Sequence, residues 1–395
     1  MSDTAAWPSG RTLWTLVWLT AGLAVAKTAR NLLPPLLPAI SADLALSPTM
    51  AGVGLSVATI AYGVVQYPGG HLSDVWSSRG VLLWGLGLVA VGAGLFVLSA
   101  SVGGFLLAAG VAGVGLGIYG PADRAEITRL FARHRGLAFG VNTTATDLGG
   151  IAATAIATVV IGVGLWRVGF LPVIILALLA MVVLYGRVDG PLRPRRVLLP
   201  VRATMARVLV RPPVRRIIIG YTSFEIVVGG LVGFLPTYLS VVHGYAPATA
   251  IQLYGLLFVV GLVIRPLAGR VSDRLPRPVI ALLGVAVAAV GIALLVVGRG
   301  VWISALAIVL FGIGQKGFPP VMQAYLMDGF DAETMGGDLG FTRSVYLAGG
   351  ALGPLIVGSV ASVAGFQVAF GVLVAITLLT GVILFDVQRD LAHPT

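Results

Sequence analysis

Lys27 and Arg30 stand three residues apart in an otherwise apolar run, a spacing that puts both on one face of a helix. Glu225 and Lys316 lie near the middle of two further apolar runs, and Asp147 and Arg343 in two more. Of 26 basic residues, 24 are arginine; the two lysines are Lys27 and Lys316. Lysine is a compact point charge whose affinity for its proton moves readily on burial, which suits a site that holds an anion and then lets it go. A charge at mid-bilayer costs about 3 kcal/mol on insertion scales, so such a residue commonly lines a cavity and marks function. Three cations (Lys27, Arg30, Lys316) against Glu225 leave a formal surplus of +2. The chemistry implied is reversible anion binding, with Glu225 tuning or releasing the anion by protonation. The competing reading makes Lys27 and Glu225 a permanent structural pair. Asp147 reads either as a proton site or as the partner of Arg343, and Asp123, Arg124 and Glu126 read as helix-end pairs.

These side chains need elements to hold them. The 395 residues are 57% apolar and 10% charged, with a mean hydropathy of +0.99; soluble domains average about 25% charged residues. A soluble core cannot hide that much apolar surface, so the chain must be solvated by lipid. At roughly 20 apolar residues per crossing, twelve helical spans are predicted near 12–40, 48–70, 81–101, 104–128, 137–162, 167–187, 216–241, 248–269, 278–298, 301–327, 337–363 and 366–386. Eighteen basic residues fall in the termini, in the loops after even-numbered spans and, as Arg187 and Arg216, at the span ends adjoining the longest loop, against two (Arg167, Arg299) on the other side. That asymmetry puts both termini in the cytoplasm. It also explains the net charge of +11 without a nucleic-acid partner. There is no cysteine, so thiol chemistry is excluded, and the four histidines (His71, His134, His243, His393) lack metal-ligand spacing. No cofactor is expected. Arg11, the run Leu13–Ala26 and Ala24-Val25-Ala26 imitate a signal peptide, but the apolar helix continues to Ile40 and reads as the first span. The longest loop, 188–215, carries Arg193, Arg195, Arg196, Arg202, Arg207, Arg211 and Arg215. Within it Val201, Met205 and Leu209 are four apart, predicting a short interfacial helix against anionic headgroups.

The chain repeats itself. Gly70-x-x-Ser73-Asp74 returns as Gly269-x-x-Ser272-Asp273, and Gly113, Gly115, Pro121 and Phe131 return as Gly312, Gly314, Pro320 and Phe330, all at an offset of 199. At an offset of 200, Gly136, Gly140, Gly149-Gly150, Val168 and Phe170 return as Gly336, Gly340, Gly349-Gly350, Val368 and Phe370. An even number of spans per half makes parallel repeats about an axis along the membrane normal, with a site between halves near the midplane. The expected domains are a bundle over 1–187, a basic linker over 188–215 and a second bundle over 216–395.

These motifs in this order resemble the major facilitator superfamily over essentially the whole chain. Its cytoplasmic gate motif is matched by Gly70-His71-Leu72-Ser73-Asp74 with Arg79, and again by Gly269-Arg270-Val271-Ser272-Asp273-Arg274, although Val75 replaces the usual base after Asp74. The glycines are expected at close helix crossings, the aspartates at a breakable contact between halves, and Arg265, one turn before Gly269, with that gate. Arg30-Asn31, Tyr62-Gly63 and the stretch to Gly85-Leu86 are similar to organophosphate:phosphate antiporters; Tyr62-x-x-x-Gln66-x-Pro68-Gly69-Gly70 is similar to anion:cation symporters. Both resemblances imply a substrate-binding arginine in span one, here Arg30. The acidic residue of the symporters is replaced by Leu116, and the span-five histidine of the antiporters has no counterpart in 137–162.

The resemblance implies two pseudo-symmetric six-helix bundles and a monomeric secondary transporter of the cell membrane. It would move a small anionic organic solute by rocker-switch alternating access, with Glu225 or Asp147 as coupling candidates. The alternative is a proton-coupled exporter of drugs or amphipathic compounds, lined by Tyr119, Phe224 and Tyr346. Its marker motif is met only by Gly340, Gly349 and Gly353-Pro354 in span eleven, while span five has Ala153-Thr154 where Gly-Pro belongs. Gly115-Leu116-Gly117-Ile118-Tyr119-Gly120 has nucleotide-loop spacing but lies inside a span, where close packing is its use. An enzyme is not expected, since no nucleophile–base constellation is present.

Overall fold

A computed structural model describes residues 10–75, 77–131, 134–190, 201–272, 274–331 and 334–392, without the side chains of 74, 75, 213 and 390–392. Among them all regular structure is helical. The first crossing is α1 (Gly10–Asn31) and α2 (Leu33–Asp43); the second is α3 (Pro48–Val64) and α4 (Gln66–Val75). Next come α5 (Ser78–Leu98), α6 (Val102–Leu130), α7 (Arg135–Val163) and, after a 3-10 turn at Trp166–Phe170, α8 (Leu171–Arg187). A short α9 (Val201–Val210) precedes α10 (Pro212–Val241), α11 (Pro247–Ser272), α12 (Arg277–Val297), α13 (Val301–Asp328), α14 (Met335–Gly350) and α15 (Leu352–Ala392). Among the described residues eleven stretches are long and apolar enough to cross a bilayer, and the last, Met335–Arg389, runs for 55 residues. Gly365, with φ of 84°, turns the chain inside α15, a conformation that costs a side chain too much to be routine. The stretch therefore makes two crossings, twelve in all.

Chemistry local to each terminus explains the boundaries. Ser47, Ser77 and Ser101 accept the amides of Met50, Gly80 and Gly104 at 3.2 Å, as N-caps do. The break at Leu32 follows from Pro34 and Pro35, which lack the amides that would bond the carbonyls of Arg30 and Asn31. In a bilayer a freed carbonyl needs another donor, and Asn31 O accepts the Tyr254 hydroxyl at 3.3 Å.

Helices approach closely where side chains are small, and those crossings repeat. A methyl on Gly115 would collide with the Gly85 carbonyl, and one on Gly314 with the Gly284 carbonyl. Gly92 abuts Ala112 as Gly291 abuts Phe311. Two pseudo-symmetric bundles result, α1–α8 and α10–α15, joined through residues 188–211.

The loops 44–47, 99–101, 164–165, 242–246 and 298–300 share one face, here the far face; α9 lies on the other, the linker face. At the far face the halves are sealed. Ser56 donates to Ala351 O at 2.6 Å and Thr49 to Ser362 at 3.0 Å. Gly52 and Gly358 leave no room for a methyl against the backbone of Pro354 and Pro48. At the linker face closure is partial. Tyr67 N donates to Ser344 at 3.0 Å, yet a methyl on Gly140 or Gly269 would meet nothing within 4 Å among the described residues. The predicted helix over Val201–Val210 is present as α9, but headgroups are not its sole neighbours. Its Thr204 meets the Tyr67 hydroxyl at 3.1 Å, and Arg207 grips Asp338 at 2.5 Å.

Candidate functional site

A cavity of about 220 Å³ lies between the bundles. Lys27 and Arg30 reach it from α1, Tyr62 from α3, Glu225 from α10, Arg265 from α11, Lys316 from α13 and Arg343 from α14. The local backbone explains these positions. Gly149 has no room for a methyl beside the Cβ of Lys27, and Gly350 none beside that of Glu225. Each charged side chain is thus pressed against a glycine of its own bundle, Lys27 of α1 against α7 and Glu225 of α10 against α14.

Lys27 donates to the Tyr62 hydroxyl at 3.3 Å, and no Lys27–Glu225 bridge forms. Lys27 and Arg30 both lie over the Tyr62 ring, at 4.8 and 4.9 Å from its centroid, within reach of a cation–π attraction. Arg343 meets the same tyrosine from the other half, and its Nε has no hydrogen-bond partner. Among the described residues none of these three cations is in an ion pair.

Lys316 and Arg265 are arranged differently. The Asp147 carboxylate, fully buried on α7, accepts Lys316 Nζ at 2.7 Å on one oxygen and Arg265 Nε at 2.7 Å on the other. Asp147 stands over Gly261, where a methyl would collide with its carboxylate. The triad ties the first bundle to two helices of the second. It corrects two expectations: Asp147 does not pair with Arg343, and Arg265 belongs to the cavity rather than to the gate motif. Lys316 also enters the cavity already compensated, so it is not a free cation.

The cavity thus holds five cations, where three were expected, against Glu225 and the adjoining Asp147, a formal surplus of three. Other expectations change too. Glu126 pairs with Arg129 at 2.5 Å rather than with Arg124. Tyr119 is buried away from the cavity, donating to Leu19 O at 2.9 Å, and Phe224 packs on Phe318; of the three exporter-lining aromatics only Tyr346 faces the cavity. Gly70 and Gly269 are not at close crossings: a methyl on Gly70 would come no nearer than 4.0 Å to Pro121. Arg79 lies over the Tyr185 ring at 4.1 Å, and Arg274 is exposed. Asp273 and the side chain of Asp74 lie outside the described residues. Sequence reasoning missed Arg343 and Arg265 as cavity residues; their one signal was charge within an apolar run.

The Major Facilitator Superfamily model matches residues 19–309 and 263–394. The chain belongs to that superfamily. No curated protein matches the sequence. Among solved structures, a bacterial homologue of the human lysosomal transporter Spinster, inward-facing and unoccupied, superposes with a TM-score of 0.81 at 16% identity, covering 97% of this chain and 98% of its own. A D-xylose–proton symporter gives 0.78 at 16% identity, covering 94% and 97%. The human organic anion transporter MFSD10 (TETRAN) gives 0.68 at 17% identity, covering 94% and 99%. At such identities these likenesses carry the fold. The superfamily and these neighbours move solutes and are not enzymes, so this is an integral membrane transporter.

Proposed function

We propose that this superfamily member is a secondary active transporter of a small organic anion, working by rocker-switch alternating access. The linker face is cytoplasmic and both termini lie there, in the cell membrane of a monomer divided at 1–187, 188–215 and 216–395. Lys27 and Arg30 bind the anion, Glu225 faces it from the second half, and Lys316 holds Asp147 in the seam. Glu225 and Asp147 are the carboxylates through which a proton could be coupled. The segments around Gly70, Asp74 and Arg79, and around Gly269, Asp273 and Arg274, serve as the cytoplasmic gate.

One observation carries the reading: five cations converge on a cavity served by two carboxylates. A low-dielectric site with that surplus attracts anions and repels lipophilic cations, which disfavours export of cationic drugs. The test is a thermal-shift screen of the purified protein against carboxylates, sugar phosphates, inorganic phosphate, nitrate and cationic drugs. A ligand that binds only the folded state raises the melting temperature by mass action. Stabilisation by an anion, lost in Lys27→Ala, is expected; stabilisation by lipophilic cations alone would overturn the proposal.

A further inference from the structure

The cations of the cavity fall into two groups with different charge balances. Lys316 and Arg265 share Asp147, and both contacts are 2.7 Å. Lys27, Arg30 and Arg343 converge instead on one tyrosine, Tyr62, and among the described residues Glu225 is the one carboxylate lining the cavity. Three cations against one carboxylate leave a formal surplus of two at this end. Like charges so close repel strongly where water is scarce, and Arg343 keeps an unused Nε donor. The arrangement calls for a counter-ion of two charges, and a second feature says where those charges go. Lys27 and Arg30 belong to the first bundle, Arg343 to the second. A single negative charge can face one group well; two charges on one headgroup can face both.

We propose that the ligand carries a doubly charged headgroup, a phosphate monoester or a dicarboxylate, clasped between Lys27 and Arg30 on one side and Arg343 on the other. This deepens the proposal of an anionic substrate and rests on it. Arg343 is then a binding residue. Its planar fork suits bidentate pairing with either headgroup, and the headgroup draws α14 toward α1 as it neutralises the charges that hold them apart.

The experiment measures affinities of the full-length protein in nanodiscs at pH 8 by isothermal titration. Two matched pairs differ by one charge: methyl phosphate against dimethyl phosphate, and phthalate against benzoate. The dianion of at least one pair is expected to bind about tenfold or more tightly than its monoanion, as one further charge-assisted hydrogen bond implies. Which pair shows it distinguishes the phosphoryl from the dicarboxylate source. In Arg343→Gln the preference should fall below about threefold, and in Arg343→Lys return in part. Melting temperatures of the ligand-free variants no lower than that of the parent protein show that they fold. Equal binding of dianion and monoanion would overturn the inference and leave the anion reading standing. A dianion preference that survives Arg343→Gln would overturn the role of Arg343. Failure of all four probes, with binding of neutral or cationic solutes, would overturn the anion reading itself.

Discussion

Replacing Asp147 by asparagine tests whether the triad with Lys316 and Arg265 is what ties the halves together. Each 2.7 Å contact corresponds to about 6 kcal/mol of Coulomb attraction at an effective dielectric of 20. Desolvating three charges offsets much of that gain, by several kcal/mol per ion. The net value of the triad is therefore modest, but breaking it is expensive. Asp147→Asn keeps the shape and removes the charge, leaving Lys316, its side chain 4% exposed, buried without compensation. Removing one partner of a buried pair costs about 3–5 kcal/mol, and that loss is expected here. Arg265, its side chain 22% exposed toward the cavity, can still be hydrated. Adding Lys316→Met removes the stranded charge and fills a similar volume, so the double variant should regain more than half of the loss. Equilibrium unfolding in mixed micelles, followed by circular dichroism, measures both. A double variant as unstable as the sum of the singles would refute the reasoning. The chain has no cysteine, so spin labels on Gly140→Cys and Gly269→Cys, both with room for a side chain, report the opening of the linker face directly. In the Asp147→Asn background their distance distribution should broaden and lengthen.

Three further outcomes are expected. Gly52→Val places a side chain on the Pro354 carbonyl and should unseal the far face, raising labelling of a cysteine at Ser56, half-buried in the same seam; Gly94→Ala, where a methyl meets nothing within 4 Å, is the neutral control. Arg207→Ala leaves Asp338, 2% exposed, with the Thr334 hydroxyl at 2.8 Å, a loss of about 1–3 kcal/mol; trypsin should then cleave the linker arginines faster. Asp123 is fully buried and neither carboxyl oxygen makes a hydrogen bond, although the Asn142 amide faces it. Asp123→Asn removes a buried carboxyl that makes no hydrogen bond and should leave stability unchanged or raise it by about 1 kcal/mol. A loss above about 2 kcal/mol in the same unfolding assay would show that the carboxyl has a partner.

The crossings and turns were legible because each has a local cause. Apolar runs of the right length make spans, serines cap helices, and a repeated glycine marks a repeated crossing. Lys27, Arg30 and Glu225 could be placed near one another from helix spacing and the repeat offset, and Lys316 from its place near the middle of span ten, which the family resemblance turns toward the cavity. Their partners could not. Whether Asp147 meets Arg343 or Lys316 depends on the relative rotation and depth of α7, α13 and α14, a matter of a few ångströms between helices far apart in sequence. The gate glycines illustrate the opposite error. Gly70 and Gly269 recur as faithfully as Gly115 and Gly314, yet only the second pair is held by neighbouring backbone.

The repeat itself explains why the cavity was the harder part to read. At an offset of 198 to 200 the scaffold residues match, and the charged residues of the cavity do not. Arg30 corresponds to Val228, Arg265 to Gln66, Lys316 to Gly117, Arg343 to Thr143 and Asp147 to Leu347. Lys27 corresponds to Glu225, a reversal of sign. Tyr62, which gathers three cations, corresponds to Gly261, whose missing side chain makes room for Asp147. Rocking of two bundles of like architecture about a common axis, as proposed above, would require the packing residues to repeat. A ligand sitting on the axis is not itself two-fold symmetric, so the groups that hold it must differ between halves. Charge that breaks the repeat inside a span is therefore a better pointer to this site than charge that obeys it. By that criterion Arg343 and Arg265 belong to the cavity on the same footing as Lys27 and Arg30.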